Sequence, residues 1–380
     1  MENNKKNFNR YIFLSTFARQ LVEVFIGTIL FKAGFNLRSV LCYFLLVNVF
    51  STLIAYPLTA LSKRYSNKLL TVMGIVNFIL VQVALNYVTL NHMYLIILAL
   101  LYALYRRCYW LSRRYYTLQI IEKQNISKNY SWISIINQIA VLVSGYIGSL
   151  LLEYVNIHVI TGISSLLLLI GLYCIFKLDF EYEMNDTKLK LIETFKITHI
   201  GSIIHIGCYE LQNVLQFLLP LYIIIYVKNT YTAVGLINLL AQLATIIFVY
   251  AYGTLIDKEK NYLKFSLIIF VISKILQVNS YGLTLFIITF ITGLTSKMYE
   301  QSNSKEMLIL SKNYEYHNYN LMYEFSQNVF RSVAIAICIF FVSDIRVMIY
   351  LVIGMISLPL LFKFNTDVKT HDSEVIWKEE

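Results

Sequence analysis

The chain of 380 residues is rich in apolar side chains and poor in charge. Hydrophobic residues make up 58% of the sequence and charged residues 14%, and the formal net charge is +10. A soluble domain has about 25% charged residues, so this chain lacks the polar side chains that a water-facing surface of its size needs. The composition excludes a soluble enzyme, a disordered chain and a disulfide scaffold, and it predicts an all-α membrane protein.

Twelve stretches of mostly apolar residues are long enough to cross a bilayer, which takes about 20 residues of helix. In chain order they cover 11–31, 40–60, 69–88, 92–112, 131–153, 156–177, 199–226, 231–252, 264–280, 281–300, 320–342 and 345–362. The ninth and tenth stretches run together, and we place the break between them at residues 277–282. The stretches lack the sustained polar–apolar alternation of membrane β-strands, so we predict twelve transmembrane helices.

Lys and Arg set the expected orientation, because they are concentrated in cytoplasmic loops. With the N-terminus placed inside, most of the basic residues fall on inside segments, while Arg19 and Arg331 lie within spans. We therefore expect a multi-pass protein of the cytoplasmic membrane with both termini in the cytoplasm. The basic residues are scattered over many short loops, which argues against binding of nucleic acid.

The five cysteines lie in or beside predicted spans, and none has CxxC spacing. This pattern indicates neither a disulfide framework nor a zinc site. We expect no metal and no cofactor.

A polar segment at residues 179–198 separates six spans from six. We predict an N-terminal six-helix bundle at 1–178, a cytoplasmic central loop at 179–198 and a C-terminal six-helix bundle at 199–380. Short basic loops at equivalent places support an internal duplication: residues 59–64 read TALSKR after the second span, and residues 253–258 read GTLIDK after the eighth.

In these loops the chain resembles the major facilitator superfamily, whose loop between spans two and three runs Gly-x-Leu-Ala-Asp-Arg. The second copy keeps Gly253, Leu255 and Asp257, and the first copy keeps Leu61 and Arg64. The resemblance implies two pseudo-symmetric six-helix bundles and a monomer. It also implies that Arg64, Gly253 and Asp257 belong to a gating loop.

Ionisable side chains inside spans are costly and mark functional sites by default. They occur here in spans one, four, seven and ten, which line the central cavity in the resembling fold, and in span eleven. We expect the following residues to bind substrate or carry protons: Arg19, Glu23, Arg106, Arg107, Glu210, Asn213, Lys297, Glu300, Glu324 and Arg331. The alternative for the closely spaced pairs, Arg19 with Glu23 and Lys297 with Glu300, is a purely structural ion pair.

These features predict a secondary active transporter that moves a small molecule by alternating access. The chain has no GxxxxGK[ST] sequence, so we expect an ion gradient as the energy source. Burial disfavours a charged carboxylate, which suits Glu23, Glu210 or Glu324 to carry protons. We favour efflux of a small amphipathic compound from a bacterial cell. The alternatives are an uptake symporter for a small anionic solute and a lipid-linked glycan flippase or polymerase. HExxH and GxSxG sequences are absent, and we predict that the protein is not an enzyme.

Overall fold

The computed structural model describes residues 2–120, 126–179, 188–252, 262–311, 314–341 and 343–365. Helices make up nearly all of this part of the chain. In order they are α1 (Glu2–Glu23), α2 (Ile26–Lys32), α3 (Leu37–Arg64), α4 (Asn67–Asn86), α5 (His92–Ile120), α6 (Ile126–Tyr154), α7 (Ile157–Phe176), α8 (Leu191–Ile197), α9 (Ile200–Tyr209), α10 (Gln212–Tyr222), α11 (Tyr231–Tyr252), α12 (Tyr262–Val278), α13 (Gly282–Ser311), α14 (Tyr316–Phe341) and α15 (Ile345–Ser357).

Every predicted span corresponds to one helix or to a run of helices that follow one another. Nine of the resulting segments are long and apolar enough to cross a membrane, counted over the described residues. The other three are the 17-residue α12, the short apolar segment Ile345–Leu361, and α14 with its interior Glu324 and Arg331. The all-α membrane fold with twelve helical segments is confirmed.

Two spans are interrupted rather than continuous, and they are the first span of each six. The first span consists of α1 and α2, which are separated at residues 24–25. The seventh consists of α9 and α10 and continues as a π-helix at Ile223–Val227. A π-helix leaves the regular hydrogen-bond ladder, and such departures are frequent at functional sites.

The two sets of six helices pack against each other along their lengths. Between the first half (α1–α7) and the second half (α9–α15), α6 packs on α11, α3 packs on α14, and α2 contacts α10. Within the first half, α1 lies between α6 and α7, and α5 lies between α3 and α4. The short α8, which falls within the predicted central loop at 179–198, packs on α14.

Glycine allows the closest of these helix contacts. A Cβ at Gly148 of α6 would meet the backbone carbonyl of Leu21 in α1, and one at Gly235 of α11 would meet Ser149 of α6. Small residues let helix backbones approach within a bilayer, where packing replaces the hydrophobic drive between helices.

Candidate functional site

In the first half, a half-buried carboxylate, that of Glu23, lies where α1 ends. The Glu23 carboxylate pairs with Arg19 at 2.7 Å and accepts a hydrogen bond of 2.5 Å from the Tyr102 hydroxyl. The Arg19 guanidinium lies over the rings of Tyr109 and Trp110, at 5.2 and 5.4 Å from their centroids. Aromatic faces attract a cation most strongly when both are out of water, so this arginine is held by a carboxylate and two rings.

In the second half, Glu210 occupies the equivalent position between α9 and α10. Arg331 of α14 donates to its carboxylate and, through Nε, to its backbone carbonyl at 3.1 Å. The same carboxylate accepts from the Tyr323 hydroxyl and, at 2.5 Å, from Asn213. Arg331 also donates to Gln327 at 3.0 Å. Hydrogen bonds that involve ionised groups are the strong ones, and they offset the cost of burying this pair.

Glu23 and Glu210 are therefore two versions of one arrangement. Glu23 is the last residue of α1 and Glu210 directly follows α9, so each lies at the joint of an interrupted span. Each pairs with an arginine, and each accepts a hydrogen bond from a tyrosine hydroxyl. The repetition in both halves agrees with pseudo-symmetric six-helix bundles. An ionisable carboxylate therefore lies at the joint near the middle of the first span and another at the joint near the middle of the seventh span.

A second group of ion pairs joins the halves at the end of the bundle where α3 ends and α14 begins, which we name the basic end. Glu324 of α14 pairs with Arg107 at 3.2 Å and with Arg114 at 2.5 Å, both on α5. Lys63, near the end of α3, pairs with Glu315 at 2.8 Å. Removing one partner of a buried ion pair costs about 3–5 kcal/mol because the other charge is left unpaired, so the closed arrangement requires both partners of the buried Arg107–Glu324 pair.

Further contacts extend this closure. Arg107 donates to Thr59 of α3 at 2.6 Å, and Arg114 donates to Asn320 of α14 at 2.6 Å. On α13, Lys297 donates to Glu300 at 2.6 Å and to Ser134 of α6 at 3.2 Å. Lys297 therefore binds within its own helix and across to the other half.

The opposite end is closed mainly by aromatic rings. Phe44 of α3 stacks on Phe217 of α10 with a centroid separation of 3.9 Å. Phe25 meets the Tyr231 ring edge-on at 6.0 Å, and the Lys32 ammonium lies 3.9 Å from the centroid of the same ring. The two ends of the interface between the halves thus use different chemistry, ions at one and aromatic packing at the other.

The structure brings most of the predicted site residues into four ion-pair groups. Arg19 with Glu23, Glu210 with Asn213 and Arg331, and Arg107 with Glu324 form contacts described above, while Lys297 and Glu300 pair with each other. Arg106 is half-buried and, among the described residues, makes no hydrogen bond or ion pair. Arg64 lies exposed at the basic end, and Gly253 and Asp257 fall outside the described residues.

Several contributors were not in the predicted set. Arg114, Lys63 and Glu315 complete the closure at the basic end, and Tyr102 and Tyr323 cap the two carboxylates. An arginine at the cytoplasmic end of a span looks the same in the sequence whether it only sets the orientation of the helix or also pairs with a residue of another helix. The role of Arg114 could therefore not be predicted from the sequence. Among the described residues, no group of three or more His, Cys, Asp or Glu side chains lies close enough together to hold a metal ion.

A helical membrane protein of two six-helix halves, with ion pairs buried between them, is built as a transporter rather than as an enzyme. The family model of the major facilitator superfamily matches residues 11–296. The chain therefore belongs to the major facilitator superfamily, whose members carry small molecules across membranes. A comparison with curated proteins gives no match.

Solved structures of three transporters share the fold. A bacterial homologue of the iron transporter ferroportin superimposes with a TM-score of 0.70 in both its outward-facing and its inward-facing state, at 10% identity. The alignments cover 94% and 95% of this chain and 98% of that chain. A mutant of the nucleoside transporter NupG gives 0.68 at 12% identity, covering 94% and 98% of the two chains. The human organic anion transporter MFSD10 gives 0.65 at 13% identity, covering 95% and 98%.

Proposed function

We propose that this protein is a secondary active transporter that carries a small molecule across the cytoplasmic membrane by alternating access. The observation that carries the proposal is the pair of closures between the halves. Ion pairs around Glu324 close the basic end, and the rings of Phe44, Phe217 and Tyr231 close the other. Rocking of the halves would break one set of contacts and keep the other, which is how a central site faces each side in turn.

Two carboxylates suit proton coupling in this scheme. Glu23 is half-buried and Glu210 is buried, and each lies beside an arginine and a tyrosine hydroxyl. Protonation would release the arginine from its partner, since a neutral carboxyl no longer holds a cation. Because both carboxylates end an interrupted helix, this change would act directly on the joint between α1 and α2 or between α9 and α10.

The orientation follows from the basic residues, with the basic end and both termini in the cytoplasm. We propose a division of the chain into bundles at 1–178 and 199–380 around the loop at 179–198, and a monomer as the working unit. Efflux of a small amphipathic compound is the proposed direction, and uptake by a symporter is the competing one. Both directions use the same two closures.

The proposal can be tested without knowing the substrate. A single cysteine replaces Asn328 in the middle of α14, in a chain whose five native cysteines are substituted. A membrane-impermeant thiol reagent is then applied from either side of sealed vesicles. A pair of cysteines, Ser62→Cys and His317→Cys, is added to the same chain and cross-linked to lock the basic end. The native side chains at these two positions lie 3.5 Å apart.

Locking the basic end should abolish labelling from that side and keep labelling from the opposite side. Locking the opposite end, with Lys32→Cys and Asn229→Cys, should give the reverse, because Lys32 donates to the Asn229 carbonyl there at 3.4 Å. Arg38→Cys, exposed at the opposite end, reports that each vesicle preparation is sealed. Labelling from both sides in a locked protein, or from neither side in every state, rejects alternating access through this interface.

A further inference from the structure

The helices α3 and α14 run antiparallel across the interface between the halves. Lys63 contacts Glu315 and Ser62 contacts His317, so the end of α3 lies against the start of α14. The two helices pack along their lengths. Extending this register by about three turns brings Ser51 level with Asn328, and one turn further brings Asn48 level with Arg331.

All four of these side chains are buried, and each carries a polar atom without a hydrogen-bond partner. The atoms are Oδ1 of Asn48, Oγ of Ser51, both Oδ1 and Nδ2 of Asn328, and Nη1 of Arg331. Asn328 is only 1% exposed. Buried polar groups are nearly always hydrogen-bonded, and each one that is not requires an explanation. A cluster of them at one level of the interface indicates a place where a polar ligand supplies the missing bonds.

Arg106 of α5 completes this cluster. It is half-buried and makes no hydrogen bond or ion pair with the described residues. It follows Tyr102 by one turn on the same face of α5, and the Tyr102 ring packs 6.4 Å from the Tyr43 ring of α3. The next residue, Arg107, pairs with Glu324 of α14 in the other half. The Tyr43 hydroxyl is likewise buried without a partner. An arginine that no carboxylate holds, next to unsatisfied donors, is arranged to meet a group from outside the chain.

The charges around this level are unbalanced. Four guanidinium groups face two carboxylates in the contacts that surround it: Arg106, Arg107, Arg114 and Arg331 against Glu210 and Glu324. Glu324 is already shared by Arg107 and Arg114, and Glu210 is engaged by Arg331. Arg107 and Arg331 are buried, while Arg106 is half-buried and the Arg114 side chain is 30% exposed. The surplus of positive charge at this place attracts a negatively charged ligand.

We propose that Arg106, Asn328 and the free Nη1 of Arg331 form a binding site for a small organic anion, with Asn48, Ser51 and Tyr43 hydrogen-bonding the rest of the molecule. The site lies where α3 and α14 meet, so the ligand would contact both halves at once. This inference rests on the proposed transport function and names the class of its substrate as an anion.

The test measures thermal unfolding of the purified full-length protein with matched probes. Benzoate is compared with benzamide and benzylamine, and succinate is compared with succinamide. A ligand that binds only the folded state raises the unfolding temperature, and we expect at least one of the two anions at about 10 mM to raise it by about 2 °C. The uncharged and cationic analogues should leave it unchanged.

Three variants locate the effect. Arg106→Gln should lose the shift, and Arg106→Lys should keep part of it because the charge remains while the planar donor fork is lost. Arg38→Gln, which removes an exposed arginine far from the site, should keep all of it. If Arg106→Gln does not fold, Arg106→Lys and the comparison of probes on the unaltered protein still decide the matter.

Three outcomes overturn the proposal: neither anion shifts the unfolding temperature, a neutral or cationic analogue shifts it as much as its anion, or Arg106→Gln responds like the unaltered chain. The labelling experiment with Asn328→Cys needs no substrate. Normal alternation of labelling without any anion effect would therefore reject the anion site and leave the transport function standing, whereas absent alternation would reject the transport function itself.

Discussion

Replacing Glu324 by Gln should open the basic end. Glu324 is 6% exposed and is shared by Arg107 and Arg114. Gln keeps the size of the side chain and removes its charge, so the fully buried Arg107 and the partly exposed Arg114 both lose their counter-ion in the closed interface. Breaking a buried pair in this way costs about 3–5 kcal/mol, and the cost applies only while the arginines are kept from water.

The size of the effect follows from this difference between states. When the basic end opens, Arg107 and Arg114 are hydrated, and most of the penalty disappears. The equilibrium should therefore move toward the state that is open at the basic end by on the order of a hundredfold or more, since about 1.4 kcal/mol corresponds to a factor of ten.

The assay is the rate at which Asn328→Cys reacts with an impermeant thiol reagent added from the basic side. Glu193→Gln is the matched control, because Glu193 pairs with Lys190 on the surface at 3.1 Å, with both side chains more than half exposed. Such surface pairs contribute about 0–1 kcal/mol, and the control should label like the parent protein. An unchanged or slower rate in Glu324→Gln would show that this ion pair does not hold the basic end closed.

Three further predictions address the carboxylates and the helix packing. Glu210→Gln should lower the unfolding temperature because it leaves Arg331 buried without its counter-ion. Adding Arg331→Gln should recover part of this loss. If the two substitutions lower the unfolding temperature by the sum of their separate effects, the pairing is contradicted. Glu23→Gln should make transport in proteoliposomes insensitive to an imposed proton gradient, and a retained response would remove Glu23 from the coupling step. Gly148→Ala should lower the unfolding temperature, since its Cβ would meet a backbone carbonyl of α1, whereas Gly162→Ala, which has nothing within 4 Å, should not; equal effects would show that close packing of α1 on α6 is not the cause.

The spans could be predicted because membrane insertion depends on a property that each segment carries alone, namely enough apolar length. Local ion pairs were accessible for a similar reason. Arg19 and Glu23 are four residues apart and Lys297 and Glu300 three apart, so helix geometry alone brings each pair together, and both pairs are present.

Partners across the bundle could not be predicted in the same way. The predicted span at 199–226 contains Glu210 but no Lys or Arg. The cation that pairs with Glu210 is Arg331, from a helix more than a hundred residues away. Glu324 and Arg331 lie seven residues apart on one face of α14. Their partners nevertheless differ: Glu324 binds α5 of the other half, and Arg331 binds the joint between α9 and α10 of its own half. Which partner each side chain reaches depends on how the neighbouring helices pack, and the local sequence does not encode that packing.

The helix breaks at Glu23 and Glu210 were also hidden. Residues 24–25 and 211 include neither Pro nor Gly, the usual causes of a sharp break. Each break instead accompanies a carboxylate with an arginine and a tyrosine as tertiary partners. Contacts between helices therefore account for the two breaks. In the sequence, the ionisable residue inside the span was the feature that pointed to each break, and local backbone preference was not.

In the proposed alternating-access cycle, the two ends would open at different cost because their chemistry differs. Opening the aromatic end exposes apolar surface from Phe44, Phe217 and Tyr231, which costs free energy in proportion to the area exposed. Opening the basic end breaks ion pairs but rehydrates their charges, and for buried pairs these two terms nearly cancel. The basic end is thus the closure whose balance a single charge can change. A proton on Glu324, or a ligand anion beside Arg106, would alter that balance, because Arg106 adjoins Arg107 in the chain and Arg107 pairs with Glu324.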